Sequence, residues 1–421
     1  MVGYSQRGSF ARQRDALAGW NTPEKTELKR KHKPDYILAL LALFLVVTGL
    51  VVVYAISPGI AISKQTSESS IVLKQFLSAG LGLVAFFAVS HVPTTWWKKA
   101  EKPLIIASII TVIVVKLFGE TVNGAQRWIQ IGGLSFQAAE LVKLTLLIWV
   151  VGFIVARLNR GELSNRDKSL KPLIYALGAI GLVIAGLESD LGSAGVMVAM
   201  VAGIAYTAGM PMRRLVIVGA AICLLLILAI VSSPYRRSRV ETFLNPEKDC
   251  RAKGYQICES LKAIGSGGMF GKGLGRSVQA YGYLPEASND SIFAIVAEKF
   301  GFVGCATLLG VFGLLFQRIK RIAELTADSY DRLLVIGVLV WFSFQTIVNI
   351  GAMMGLLPLK GITLPFISTG GTSLFFVCCA LGIVFQISRY TAFRPIDSEV
   401  VETNNPEAPS RPRPTILRRN V

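Results

Sequence analysis

The feature that most constrains this chain is repetition of long apolar runs. Each is near the roughly 20 residues that a helix needs to cross a bilayer. They lie at 36–57, 71–90, 103–118, 138–156, 172–187, 191–208, 214–232, 292–316, 332–354 and 371–388. In lipid every backbone N–H and C=O must be satisfied within the protein, and a helix does this within its own segment. The runs therefore predict an all-α polytopic membrane protein of about ten transmembrane helices. The longest polar interval, 233–291, predicts one long extracytoplasmic loop between helices 7 and 8. Composition agrees, since only 17% of the 421 residues are charged against about 25% in a soluble domain.

The formal net charge of +18 would suggest nucleic acid in a soluble protein. Here the cations flank apolar helices, which is the pattern of positive-inside topology. Lys98, Lys99 and Lys102, then Arg157, Arg160, Arg166, Lys168 and Lys171, then Arg213 and Arg214, then Arg318, Lys320 and Arg321 fall in alternate short loops. The other short loops carry Lys64, Arg127 and Lys360. No nucleic-acid partner is expected, and the partner this pattern does imply is the membrane. The organisation reads as a basic cytoplasmic tail (1–35), a transmembrane domain (36–390) and a disordered cytoplasmic tail (391–421), with both termini on one side. The first run reads as a signal anchor, being too long for a cleavable signal peptide.

Six cysteines and two histidines, His32 and His91, form no metal-ligand pattern. Cys250 and Cys258 stand eight apart in the outer loop, where oxidation is possible, and a disulfide is expected between them.

A charge inside a span is costly, and is usually paired or functional. Glu140 and Lys143 share a helix face at i and i+3, where they can neutralise one another. Asp190 follows Glu188 and Ser189 in a tight turn and suits a helix N-cap. Gln345 and Asn349, four apart, suit interhelical hydrogen bonds. Asp290 stands where a polar segment meets the apolar run that begins at Ile292, with Glu286 four residues upstream. A cap role is the plain reading of Asp290, set against a chemical one at the water–lipid boundary. The stretch 264–275, IGSGGMFGKGLG, fails the Walker spacing. It is either a hinge or a loop whose backbone N–H groups approach a phosphate. A second irregular loop, 357–373, carries Pro358, Pro365 and Gly370–Gly371, and such backbone at membrane depth needs protein around it.

Five blocks carry a resemblance: NGAQRWIQIGGLSFQAAELVKL (123–144), ESDLGS (188–193), PYRRSRVETFLNP (234–246), the segment 254–294, and LPLKGITLPFISTGGTSL (357–374). Together, and in this order, they resemble the SEDS family (shape, elongation, division, sporulation), the polytopic peptidoglycan glycosyltransferases that include FtsW and RodA. Ser189, Ser288–Asn289–Asp290–Ser291 and Thr369 depart from the family's usual residues, while the acidic position is kept. Lys360 with the following Gly-Ile-Thr-Leu-Pro resembles the division branch.

The resemblance implies polymerisation of lipid II into glycan strands on the outer face of the cytoplasmic membrane during septal synthesis, with Asp290 as general base. It implies Arg127, Glu140, Lys143, Lys360, Glu286, Asp190, Ser368, Gly370 and Gly371 as substrate-binding residues. It also implies a class B penicillin-binding protein and other division proteins as partners. A divalent cation, Mg or Mn, would suit the leaving pyrophosphate, although the sequence shows no dedicated cage. A lipid II flippase, an elongation-type polymerase and a non-catalytic scaffold remain as alternatives.

Overall fold

The computed structural model describes residues 32–122, 125–131, 134–163, 165–181, 190–231, 241, 243, 250–252, 254–359 and 361–391. Lys360, Glu188, Ser189, most of 232–249 and the two tails lie outside the described residues. Ten helices fall on the ten apolar runs: α1 Tyr36–Lys64, α2 Glu68–Val89, α3 Thr94–Phe118, α4 Ala138–Asn159, α5 Lys171–Gly181, α6 Leu191–Thr207, α7 Met212–Val231, α9 Ile292–Leu325, α10 Ser329–Met353 and α11 Gly371–Ile387. A further helix, α8 Tyr255–Ser266, occupies part of the interval read as loop. Six of the described helices, α1, α2, α4, α9, α10 and α11, are long and apolar enough to cross a membrane. The helix starts are capped as their sequences require. Asp35 accepts from Leu38 N at 3.2 Å, Ser67 from Ser70 N at 3.3 Å, and Asp328 from Tyr330 N and Asp331 N at 3.0 Å.

α11 is the innermost of the six, with 89% of its apolar window buried, whereas α1, α2 and α9 bury 28–33% of theirs. Those three therefore turn much of their apolar surface outward, as lipid-facing helices do. Between helices in lipid there is little hydrophobic drive, so small residues must allow close approach. A methyl on Gly382 of α11 would come within 2.9 Å of the Phe86 carbonyl of α2, and one on Gly337 of α10 within 2.2 Å of a Leu147 methyl of α4.

Three expectations need correction. First, the described chain is not all helix: β1 Glu120–Val122, β2 Ala125–Ile131 and β3 Leu134–Gln137 form an antiparallel sheet in the order β1-β2-β3. Asn123–Gly124 and Gly132–Gly133 separate these strands in the sequence, and such dipeptides favour two-residue hairpins. Second, α9 does not enter the membrane at Ile292. Gly301 interrupts it with φ 65° and ψ −162°. Residues Ile292–Lys299 before the break are all buried, so that segment is enclosed by protein, and the spanning part follows Gly301.

Third, the glycine-rich stretch is neither a free hinge nor an open phosphate cradle. Its backbone is zipped to the break in α9: Lys272 N donates to Glu298 O at 2.9 Å, Gly273 N to Lys299 O at 3.0 Å, Phe302 N to Gly268 O at 2.9 Å and Val303 N to Met269 O at 3.0 Å. Gly271 and Gly301 have positive φ, and a methyl on Gly301 would lie 2.3 Å from Gly271 N. Here glycine is required twice over, by conformation and by contact. The expected disulfide is present, joining Cys250 to Cys258 of α8 with a Cα–Cα distance of 5.7 Å.

Candidate active site

Contacts along α1 locate the site in depth. Gly59 packs against Ala280 and Tyr281, and Gly49 packs against the backbone of Ile367. Those two levels are ten residues, about 15 Å, apart. Ser368 Oγ donates to Asn289 O at 2.6 Å, and Thr369 N donates to Ser288 O at 2.8 Å. The chain from 280 to 289 therefore descends from the Gly59 level towards the Gly49 level. It then returns, because Lys299 Nζ donates to Ala55 O at 3.3 Å. Residues 280–300 make a re-entrant hairpin with Asp290 near its tip. The segment 361–370 dips in from the same end to meet that tip. Asp290 is thus within the protein and not at a water–lipid boundary.

Asn349 of α10 ties the two segments together, donating to Asp290 O at 2.8 Å and to Ile362 O at 2.7 Å. One turn along α10, Gln345 Nε2 donates to Thr363 O at 2.9 Å. The interhelical role expected of both residues holds for Gln345, which accepts from Lys143 of α4 at 3.1 Å, whereas Asn349 instead holds two non-helical segments, among them the candidate catalytic residue's own backbone.

The cap role is not what Asp290 performs. Ser291 occupies the N-cap position of α9 without a side-chain cap bond, its hydroxyl donating instead to Pro285 O at 2.9 Å. Asp290 is 9% exposed, and its Oδ1 lies 3.4 Å from Gln256 Nε2 of α8. Burial, and then the nearby Glu286 charge, push its carboxyl up to about 7 against the smaller pull of Gln256 and local backbone amides. Glu286 is exposed, adopts φ 50°, and accepts from Asn289 Nδ2 at 2.5 Å. A non-glycine residue held in the left-handed region carries strain that the surroundings must impose.

Gly361 brings Arg127 into the site. A methyl on it would lie 3.9 Å from Asp290 Oδ2 and 4.0 Å from Arg127 Nη1. The carboxylate and the β2 guanidinium therefore flank one small space beside the residue that follows Lys360.

Of the other expected site residues, Lys360 lies outside the described residues and the rest make the following contacts. Lys143 and Glu140 form a buried ion pair at 2.8 Å, and Lys143 also donates to Gln345 Oε1 at 3.1 Å and faces the Trp341 ring. Asp190 caps α6, accepting from Ser193 N at 3.0 Å and Ser193 Oγ at 2.7 Å, and it takes a third bond from Gln137 Nε2 at 3.2 Å. Ser368 accepts from Leu364 N at 2.8 Å while donating to Asn289 O. Gly370 is the N-cap of α11 and Gly371 its first residue. These residues shape and hold the site, whereas Asp290, Glu286 and Arg127 converge at it. Among the described residues no three His, Cys, Asp or Glu side chains cluster to hold a metal.

Sequence reasoning missed Glu298 and Lys299, which are 0% and 1% exposed. Glu298 accepts from Ser277 Oγ, from Val278 N at 2.8 Å and from Gln279 N at 3.2 Å. Lys299 also donates to Leu274 O at 2.8 Å. Adjacent opposite charges staple the segment 274–279 onto the returning arm of the hairpin. Their signal is two adjacent opposite charges, one residue short of Gly301, within the apolar run 292–316.

Helices around two re-entrant segments, with a buried carboxylate of raised pKa beside a guanidinium, define a multi-pass membrane protein with the makings of an acid–base site. The family model described as "Cell cycle protein", of FtsW, RodA and SpoVE, matches residues 35–392. A probable peptidoglycan glycosyltransferase FtsW of Pseudoalteromonas translucida is 40% identical over 74% of this chain and 78% of its own length. The stage V sporulation protein E of Bacillus subtilis is 34% identical over 86% of this chain and 99% of its own length. Among solved structures, a chain from a peptidoglycan synthase complex described as coordinating polymerization and crosslinking superposes with a TM-score of 0.69. It is 29% identical, covering 85% of this chain and 98% of that one. The rod shape determining protein RodA of Thermus thermophilus gives a TM-score of 0.59 at 28% identity, covering 85% and 97%. The chain belongs to the FtsW/RodA/SpoVE family.

Proposed function

We propose that this protein is a peptidoglycan glycosyltransferase that polymerises lipid II at the outer face of the cytoplasmic membrane for septal wall synthesis. The observation that carries the reading is Asp290, enclosed at the tip of a re-entrant hairpin with its carboxyl raised to about 7. A general base works best with a pKa near the operating pH. In its ionised form Asp290 takes the proton of the acceptor sugar hydroxyl as that oxygen attacks the anomeric carbon. The bond to undecaprenyl pyrophosphate breaks, and the diphosphate leaves with the electron pair. Arg127, which like Asp290 approaches Gly361, would stabilise that developing charge, with Lys360, the residue before Gly361, as a second cation.

Ten membrane crossings, with both termini in the cytoplasm, go with this reading. So does a class B penicillin-binding protein partner, because the solved neighbour comes from a complex that couples polymerization to crosslinking. The test is gel-resolved glycan product from the purified chain and lipid II, with and without that partner. Product that is lost in Asp290→Asn and increased by the partner supports the proposal. A folded wild-type complex that makes none refutes it.

A further inference from the structure

The transmembrane domain ends where it begins. His32 N donates to Arg389 O at 2.9 Å, and Asp35 N donates to Ser388 Oγ at 3.0 Å. Beside this clamp lies a cavity of about 620 Å³ lined by residues from the starts or ends of three helices, among them Lys33, Tyr36, Phe87, His91, Phe385 and Arg389. It sits at the Tyr36 end of α1, opposite the Gly59 end that meets the catalytic hairpin.

Its walls divide by chemistry. One side is cationic, with Lys33 and Arg389 and no carboxylate among the lining residues. The nearby carboxylate, Asp35, is committed to Leu38 N and to Arg318 at 3.6 Å. His32 is used structurally, with Nδ1 2.8 Å from Lys33 O and Nε2 3.0 Å from Thr391 O. His91 lies with Nδ1 2.7 Å from Phe87 O, so its ring N–H is spent on that carbonyl. Arg389 lies over the Phe385 ring at 5.6 Å, and its Nε is buried without an acceptor among the described residues. A buried donor left unpaired is costly, and an anion would satisfy it.

The other side is aromatic. Tyr36 and Phe87 are 63% and 54% exposed, next to the outward-facing Ile37 and Leu40 of α1. The cavity therefore opens towards the lipid-facing surface. A soluble anion would use the cations and leave the rings idle.

We infer that this cavity binds one anionic phospholipid, its phosphodiester held by Lys33 and Arg389 and an acyl chain lying over Tyr36 and Phe87. A lipid held there would bridge the incoming and outgoing ends of the transmembrane domain. This inference does not depend on the enzymatic reading.

Native mass spectrometry of the full chain, titrated with phosphatidylglycerol or phosphatidylethanolamine, tests it. We expect one retained phosphatidylglycerol, weaker phosphatidylethanolamine binding, and no displacement by inorganic phosphate. Lys33→Gln with Arg389→Gln should weaken phosphatidylglycerol binding roughly tenfold or more. Phe87→Ala, an exposed position that keeps every cation, should weaken it as well. Lys99→Gln with Lys102→Gln, a second basic cluster on α3, should leave it unchanged. Equal loss in that control, equal affinity for the two lipids, or displacement by inorganic phosphate would overturn the inference. If the double variant fails to fold, the Phe87→Ala result and the lipid comparison decide.

Discussion

At the scale of single residues, the proposal of Asp290 as the base rests on its few partners and its dry surroundings. Asp290→Asn keeps shape and removes basicity, so it should insert and bind lipid II while polymerising about 10²–10⁴-fold more slowly. An Asn variant within a few-fold of wild type would falsify the base assignment. The raised pKa also sets a pH profile. Below about 7 the carboxyl holds its proton and cannot accept another, so turnover should rise with pH through that region. Glu286 contributes to the elevation by charge repulsion. Glu286→Gln should therefore move the acidic limb of the profile to lower pH and reduce the maximum less than Asp290→Asn does. An unmoved limb would assign it to another group. Glu298 is a contrasting carboxylate, saturated by donors and serving structure. Glu298→Gln puts an amide N–H against donors and should cost about 1–3 kcal/mol of stability. Lys272→Gln, which loses a half-exposed partner 3.5 Å away, should cost far less. Thermal unfolding in detergent compares the two.

At the scale of elements, the positions of the helices were legible because lipid leaves the backbone few choices and a period of apolar residues shows it directly. The disulfide, the Asp190 cap and the Glu140–Lys143 pair were legible because each depends on residues close in sequence. The re-entrant hairpin was not. Ile292–Phe300 is as apolar as a span, and whether such a run faces lipid or protein depends on Gly49, Asn349 and Ile367, which are distant in sequence. The sheet was overlooked although its glycine dipeptides announced it, since the apolar count outweighed a weak local signal. Gly361 and Gln256 join the site through tertiary approach alone. The hairpin's weak point is Gly301. Gly301→Ala would place a methyl 2.3 Å from Gly271 N at a φ of 65°, so the seam between the glycine-rich stretch and α9 must open. We expect a large loss of monodisperse protein, whereas Gly313→Ala in the same helix, where a methyl meets nothing within 4 Å, should be tolerated. Equal yields from both variants would mean that the seam contributes little.

At the scale of the whole molecule, α9 beyond Gly301 measures the distance between the two faces. Phe302 N is bonded to Gly268 O at its start, and Arg318 reaches Asp35 near its end. From Phe302 to Glu324 is about 33 Å of helix, against roughly 30 Å of bilayer hydrocarbon. The Asp35 end gathers Lys33, Arg318, Lys320 and Arg321, the mark of a cytoplasmic face. The Gly268 end adjoins α8 and its Cys250–Cys258 bond, which suits an oxidising exterior. Charge and redox chemistry are independent arguments for the orientation proposed above, in which Asp290 would open outward. Two exposed positions test this. Phe270 is 80% exposed beside the outer seam, and the Glu324 side chain is 54% exposed near the inner end of α9. In intact cells a membrane-impermeant maleimide should label Phe270→Cys above the level of the unsubstituted chain, and label Glu324→Cys only after permeabilisation. Labelling of Glu324→Cys in intact cells, with Phe270→Cys protected, would turn the molecule over and place the candidate base on the cytoplasmic side.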